Sequence, residues 1–193
     1  EVLICPLPLY HIYAFTFHCM AMMISGNHNI LITNPRDIPA FVKELSKVRF
    51  TGFVGLNTLF VALCNNEDFR KLDFSAFKVT LSGGMALQLA TAERWEQVTG
   101  CKICEGYGMT ETSPVATVNP IDAVQLGTIG IPVPSTLCKI IDEDGNELPF
   151  GERGELCVKG PQVMKGYWQR EEATAEILDA EGWLKTRYRR DSG

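Results

Sequence analysis

Residues 78–87 read KVTLSGGMAL, and residues 101–113 read CKICEGYGMTETS. In each stretch a short apolar strand pattern runs into glycines, and the first stretch continues into a helical pattern. Strands that alternate with helices in this way indicate an α/β fold with a largely parallel sheet. Because ligands of such sheets gather at the carboxyl ends of the strands, both glycine-rich turns are candidate parts of a binding site.

The same alternation extends to the N-terminal side of these two stretches. Apolar runs bounded by turn residues predict strands over residues 2–5, 29–33, 50–55, 78–82 and 102–107. Helical periodicity predicts helices over residues 12–25, 37–47, 57–65 and 87–99. Asp37 is the predicted N-cap of the second helix, with Pro39 in its first turn.

The character of the sequence changes after residue 120. Strands are predicted over residues 137–142 and 155–159, with a hairpin turn at Asp144-Gly145 and a further turn at Pro149 and Gly151. We therefore divide the chain into three parts. These are an α/β part (1–120), a β-rich subdomain of the same domain (121–186) and a charged tail that fits no periodic pattern (187–193).

Composition excludes some classes of function. The net charge is −5, from 18 basic and 23 acidic residues, and no basic run is present, so nucleic acid is not an expected partner. The most apolar stretch, residues 12–24, contains Thr16 and His18 and is too short to span a bilayer. Peripheral contact with the inner face of the cell membrane stays open.

The cysteines are odd in number and scattered through apolar runs, which favours a reducing, cytoplasmic location over a disulfide framework. The seven are Cys5, Cys19, Cys64, Cys101, Cys104, Cys138 and Cys157. Cys101 and Cys104 have the spacing of metal ligands, but no second pair or nearby histidine completes a site. We interpret them as strand cysteines that pack in the interior.

The end of the predicted strand 102–107 and the residues just after it combine four kinds of chemistry. Gly106 lets the backbone approach a flat ligand, and Tyr107 offers a ring on which a planar base can stack. Thr110 has a hydroxyl that can bond a phosphate oxygen, and Glu111 has a carboxylate suited to Mg²⁺ that a phosphate brings. A strand and turn with a capping glutamate is an equally simple interpretation, so the stretch alone leaves both open.

Six motifs, in this order and spacing, resemble the acyl-adenylate-forming (AMP-binding) superfamily, which includes acyl-CoA synthetases, luciferases and peptide-synthetase adenylation domains. They are PLPLYHIYAF (6–15), LSGGMAL (81–87), EGYGMTETSP (105–114), GTIGIPVP (127–134), GERGELCVKGPQVMKGYW (151–168) and GWLKT (182–186). Within the superfamily, ITNPRDIP (32–39) and ELCVKGPQVMKGYWQR (155–170) look most like bacterial long-chain fatty acid–CoA ligases. The resemblance implies the large N-terminal domain of the adenylate-forming fold, a mostly parallel sheet with flanking helices followed by a β-rich subdomain. It also implies that residues 1–120 are the nucleotide- and acyl-binding part and that residues 187–193 are a divergent tail.

The resemblance also implies a reaction in two steps. A long-chain fatty acid and ATP give an acyl-adenylate and diphosphate, and coenzyme A then displaces AMP to form a thioester. A bound Mg²⁺ and hydroxyl donors would stabilise the charge that builds up when the carboxylate attacks the α-phosphorus.

Motif position then implies a role for each site residue. Gly83, Gly84 and Met85 would border the adenine and the acyl carboxylate, while Glu105 and Gly106 would lie along the adenine edge. Tyr107 would stack on the adenine ring, Thr110 would bond phosphate, Glu111 would bind Mg²⁺, and His11 would sit near the reacting carboxylate. From the residues alone, His11 is as well interpreted as a histidine at the start of a helix.

Three features of the family are missing from this sequence. A phosphate loop would lie before Glu1, a smaller domain with a catalytic lysine would follow the chain, and a Gly-Asp pair would follow Thr186. Arg187-Tyr188 stand in place of that pair, and Asp191 comes three positions too late. We therefore expect a piece of a longer protein, inactive in isolation, whose tail after Thr186 arises from a frameshift.

Two interpretations besides the ligase stay open. One is a non-catalytic remnant of a frameshifted gene. The other is a sibling chemistry, either a fatty acyl-AMP ligase or an aryl-CoA ligase.

Overall fold

The computed structural model describes residues 1–149 and 151–189. Strands of a larger sheet are β1 (Val2–Cys5), β2 (His28–Leu31), β3 (Gly52–Gly55), β4 (Val79–Ser82), β5 (Ile103–Gly108), β6 (Val115–Val118) and β7 (Ile131–Pro132). Strands of a smaller sheet are β8 (Leu137–Ile141), β9 (Glu147–Leu148), β10 (Glu155–Lys159) and β11 (Leu184–Arg189). Within the described residues the two orders are β2-β1-β3-β4-β5-β6-β7 and β11-β10-β8-β9.

Helices connect the strands of the larger sheet. They are α1 (Ile12–Ala14) with a π-helical continuation (Phe15–Met22), α2 (Ile38–Leu45), α3 (Asn57–Asn65), α4 (Leu89–Thr99) and, near the smaller sheet, α5 (Glu171–Ile177). The side chain of Asp37 accepts a hydrogen bond from the N–H of Ala40 at 3.1 Å, which makes it the N-cap of α2. Gly100, at φ +72°, ends α4 in the left-handed conformation that favours glycine.

The larger sheet confirms the predicted α/β architecture. Strands β1 to β5 pair in parallel, and β6 and β7 add two antiparallel strands beside β5. The smaller sheet is antiparallel throughout. Because β7 still pairs with β6, the larger sheet continues past the boundary predicted at residue 120.

The helix predicted over residues 12–25 is present, but most of it is π-helical. The N–H of Met23 donates to the carbonyl of His18, and the N–H of Asn27 donates to that of Met22 at 2.9 Å. This five-residue spacing is wider than the four-residue spacing of an α-helix. Residues five apart therefore share a face of this segment.

Two clusters of apolar side chains hold the sheets. The aromatic cluster packs against the larger sheet, and its fully buried rings are Phe41, Phe53, Phe60, Phe69 and Trp95. Trp95 Nε1–H donates to Thr80 Oγ1 at 2.9 Å, so its one polar group is satisfied. The seam cluster is smaller and comprises the buried residues Ala116, Leu156 and Val158, with Tyr107 and Tyr188 packed against them.

The predicted tail begins inside a strand. Arg187 and Tyr188 belong to β11, which pairs antiparallel with β10. The N–H of Arg187 donates to Glu155 Oε1 at 2.7 Å. Asp191 lies outside the described residues.

All seven cysteines are free thiols, and Cys5, Cys64, Cys101, Cys104 and Cys157 are buried. Within residues 1–149 and 151–189, none of the helices combines the length and the apolar character that crossing a bilayer requires.

Candidate active site

The two glycine-rich turns meet at one edge of the larger sheet. Strands β4 and β5 are neighbours, and Ser82 lies opposite Glu105 at their carboxyl ends. Beyond these ends is a cavity of about 280 Å³. Five residues predicted for the site line it: His11, Gly83, Gly84, Gly106 and Tyr107.

Most of the remaining wall is apolar and comes from one helix and from three strands with their loops. The helix after His11 contributes Ile12, Tyr13, Thr16, Phe17 and Ala21. Strands β4 to β6 and their loops contribute Leu81, Cys104, Met109, Pro114, Val115 and Val118. A cavity with this lining suits a largely apolar ligand with a polar end.

The glycines let other groups approach the backbone closely. A Cβ on Gly83 would lie 3.3 Å from Cε1 of Tyr13, so the tyrosine ring already covers this position. Gly84 has φ +82°, a conformation that residues with a side chain rarely adopt. The turn is therefore fixed both by conformation and by the ring above it.

His11 stands at the start of α1 and lines the cavity. Its Nδ1 accepts a hydrogen bond from the N–H of Tyr13 at 3.2 Å, which makes it the N-cap of the helix. Since Nδ1 is the acceptor, the proton of the neutral ring is on Nε2. His11 is thus both the N-cap of the helix and part of the cavity wall.

The side chain of Glu105 lies outside the cavity wall, and its place along the adenine edge stays a prediction. Its side chain is buried, it does not line the cavity, and its Oε1 accepts a hydrogen bond from the N–H of Leu87 at 3.0 Å. Its carbonyl accepts hydrogen bonds from the backbone and side-chain amides of Asn119 at 2.9 and 3.0 Å. The carboxylate therefore ties the turn after β4 to β5.

Tyr107 lines the cavity and also belongs to the seam cluster. Its ring centroid lies 4.5 Å from that of Tyr188, with 40° between the planes. Burial raises the pKa of the Tyr107 phenol above its ordinary value, and a hydrogen bond with Thr186 opposes this rise. The ring predicted to stack on a base thus already has an aromatic neighbour.

Thr110 and Glu111 begin the short 3₁₀ helix Thr110–Thr112 after β5. Thr110 is exposed and shares a second hollow of about 320 Å³ with His11. Glu111 lines neither hollow; the phenol of Tyr167 donates to its Oε1 at 2.6 Å. Glu111 is not in a salt bridge with any described residue.

The cavity wall differs from the prediction at Met85 and at several residues of the helix after His11. Met85 is 48% exposed and does not line the cavity. Tyr13, Thr16 and Phe17 were not assigned individually to the site, although Tyr13 and Phe17 are four positions apart on a helix that begins at His11. Ala21 follows Thr16 by five positions, a spacing that only the π-helical geometry places on one face.

The site residues fit a ligand that arrives with a metal ion already bound to it. Ser82 lines the cavity, and its Oγ is buried without a hydrogen-bond partner, so a polar group of a ligand would satisfy it. Among the described residues no cluster of three His, Cys, Asp or Glu side chains could hold a metal. A single carboxylate such as Glu111 suits Mg²⁺ that arrives with phosphate oxygens.

The chain belongs to the AMP-binding enzyme family, whose model matches residues 1–168.

The chain is also similar to curated proteins and to solved structures. It is 54% identical over 187 residues to a long-chain-fatty-acid–CoA ligase of Escherichia coli, covering 96% of this chain and 33% of that protein. It is 57% identical over 181 residues to the corresponding ligase of Haemophilus influenzae, covering 93% and 32%. The structure of a benzoate CoA ligase from Burkholderia xenovorans superposes with a TM-score of 0.89 at 28% identity, covering 98% of this chain and 38% of that one. The chain thus spans about a third of the length of the curated relatives it matches.

Proposed function

We propose that this chain is part of an ATP-dependent long-chain fatty acid–CoA ligase. The observation that carries the proposal is the meeting of Gly83, Gly84, Gly106 and Tyr107 with His11 around one apolar cavity. The sequence identity to long-chain-fatty-acid–CoA ligases supports the choice of acid and of coenzyme A as the second substrate. The whole protein would convert fatty acid, ATP and coenzyme A into acyl-CoA, AMP and diphosphate.

In this proposal the apolar wall holds the fatty acid. Phe17, Ala21 and Val118 are among the side chains that exclude water along the chain of the acid. The carboxylate would lie by His11, whose Nε2–H can donate to one of its oxygens. That hydrogen bond would orient the other oxygen toward the α-phosphorus. The entropy of aligning the two reactants would then be lost when they bind and not in the chemical step.

The nucleotide would lie along the carboxyl ends of β4 and β5. Gly83, Gly84 and Gly106 would border the base, which can approach the backbone at Gly84 and Gly106, and the ring of Tyr107 can pack against it. The hydroxyl of Thr110 can donate to a phosphate oxygen. Glu111 would bind Mg²⁺, which supplies positive charge against the phosphates when bound.

ATP–diphosphate exchange tests this function on the full-length protein that contains the chain. We expect exchange with long-chain fatty acids and about a 10²–10⁴-fold slower rate in Glu111→Gln, since the metal's positive charge would no longer be held against the phosphates. Trp168, which is 87% exposed, offers a matched control, and Trp168→Phe is expected to keep the wild-type rate. Exchange with aromatic acids and none with long-chain acids would instead support the aryl-CoA ligase.

A fatty acyl-AMP ligase and a non-catalytic remnant would each give a different result. The fatty acyl-AMP ligase would show exchange with long-chain acids but form no acyl-CoA when coenzyme A is added. The remnant would release no heat when the 193-residue chain is titrated with ATP and Mg²⁺. The cytoplasmic location with peripheral contact at the inner face of the membrane stays a prediction.

A further inference from the structure

The carboxylate of Glu111 is held by a segment far from it in sequence. The phenol of Tyr167 donates to Glu111 Oε1 at 2.6 Å, a length typical of a hydroxyl that donates to an ionised carboxylate. The backbone is held as well, because the N–H of Met164 donates to the carbonyl of Glu111 at 2.8 Å. Two hydrogen bonds from residues 164–167 therefore fix this one residue.

Tyr167 is itself fixed in place. Its N–H donates to Thr174 Oγ1 at 2.9 Å, and that hydroxyl donates to the carbonyl of Arg170 at 2.8 Å in the first turn of α5. Gly166, with φ +148°, allows close packing here, since a Cβ on it would lie 2.9 Å from Cγ2 of Thr174. A chain of contacts thus runs from α5 through Tyr167 to the carboxylate.

The hydrogen bond leaves one carboxylate oxygen available. Within residues 1–149 and 151–189, Tyr167 is the hydrogen-bond partner of the Glu111 side chain, and it uses Oε1. Oε2 is then presented in a fixed direction, and the rotamer freedom that a glutamate would lose on binding a metal is already lost. Glu111 without this bond would sample several rotamers.

We infer that Tyr167 is a positioning residue that holds Glu111 in the orientation required to bind Mg²⁺ on a nucleotide, an inference that rests on the proposed function. Tyr167 does not touch the nucleotide or the metal; it acts through the carboxylate. Such partners of metal-binding groups typically change metal affinity by about 10–100-fold when they are removed.

The test is a calorimetric titration of the full-length protein that contains the chain with ATP, over a series of MgCl₂ concentrations and in EDTA. In Tyr167→Phe, we expect the Mg²⁺ concentration for half-maximal tightening of ATP binding to rise by about tenfold or more. Its ATP affinity in EDTA is expected to equal that of the wild type, because the phenol does not touch ATP. Trp168→Phe, next in the chain and exposed, is expected to match the wild type in both measurements.

The remaining outcomes separate the inference from the function on which it rests. If Glu111→Gln abolishes the effect of Mg²⁺ while Tyr167→Phe leaves it unchanged, Glu111 binds the metal and the inference is wrong. If Mg²⁺ does not tighten ATP binding even in the wild type, both the metal role and the inference fail. If Tyr167→Phe weakens ATP binding equally in EDTA, Tyr167 has a general structural role and the inference is again wrong.

Discussion

The aromatic cluster and the seam cluster hold their sheets in different ways. In the aromatic cluster, rings from β3, α3 and α4 pack on one another, with Phe60 and Trp95 at 4.8 Å between centroids and Phe53 and Trp95 at 5.5 Å. The seam cluster has only small or aliphatic buried members and is completed by Tyr107 and Tyr188, which are partly exposed. Tyr107, whose ring is proposed to bind the nucleotide, thus belongs to the cluster with the smaller buried side chains.

The two clusters are therefore expected to contribute differently to stability and to the proposed function. Burial of large apolar side chains is the main favourable term in folding, so the aromatic cluster is expected to contribute most of it. The seam cluster joins the larger sheet to the smaller one, and its Tyr107 also lines the cavity. We therefore expect a ligand that packs on Tyr107 to be sensitive to how the smaller sheet packs.

The largest expected effect tests the aromatic cluster. Trp95→Ala removes a fully buried ring and leaves Thr80 without its indole donor, so the free energy of unfolding should fall by about 3–5 kcal/mol. Urea unfolding measures this change. Trp168→Ala, at a residue that is 87% exposed, is expected to change it by less than about 0.5 kcal/mol. A similar small loss in Trp95→Ala would show that the cluster does not carry the stability.

A smaller effect is expected at the seam. Unfolding of Tyr107→Leu, Tyr188→Leu and the double variant forms a double-mutant cycle. The two rings are 4.5 Å apart, so we expect a coupling free energy of about 0.5–1.5 kcal/mol. Additive losses would mean that the rings do not interact and that β11 is held at the seam by its backbone alone.

The smallest expected effect is a dependence of stability on pH. It compares a thiol of the aromatic cluster with a thiol of the smaller sheet. Burial raises the pKa of Cys64, in the aromatic cluster, and of Cys157, in β10, from 9.0 to about 11. Between about pH 9 and about pH 11 the unfolded chain loses these protons while the folded chain keeps them, so stability falls as the pH rises. Below that window both thiols are protonated in both states and contribute no pH dependence.

Urea unfolding at a series of alkaline pH values measures this slope. Cys64→Ala and Cys157→Ala should each make it shallower than in the wild type. An unchanged slope in Cys157→Ala alone would mean that the smaller sheet opens enough to let water reach its thiol.

Much of the fold could be predicted because its signals are local. Asp37 is an N-cap as predicted, and β1, β3 and β4 fall within the predicted strands, since apolar runs bounded by turn residues identify buried parallel strands. The π-helical hydrogen bonding of Phe15–Met22 could not be predicted, because no residue type marks a five-residue spacing. Strand β7 has two residues and owes its place to pairing with β6, which sequence patterns do not report.

Site residues could be predicted where the local backbone conformation places them at the site. They could not be predicted where contacts with distant parts of the chain place them. The glycines after β4 and in the second half of β5 were identified because both stretches lie toward the carboxyl ends of strands, and the structure brings them to one cavity. Glu105 turned inward because the N–H of Leu87, eighteen positions earlier, needed an acceptor. Tyr167 was missed because it is 56 positions from Glu111.

The five-residue spacing in Phe15–Met22 has a consequence for how the cavity can change. With the same residues wound as an ordinary α-helix, Ala21 would lie about 140° around the helix axis from Thr16 and would leave the wall. Losing one residue between them would restore the four-residue spacing and return both side chains to one face. The shape of this wall therefore depends on the winding of the segment and on its number of residues together.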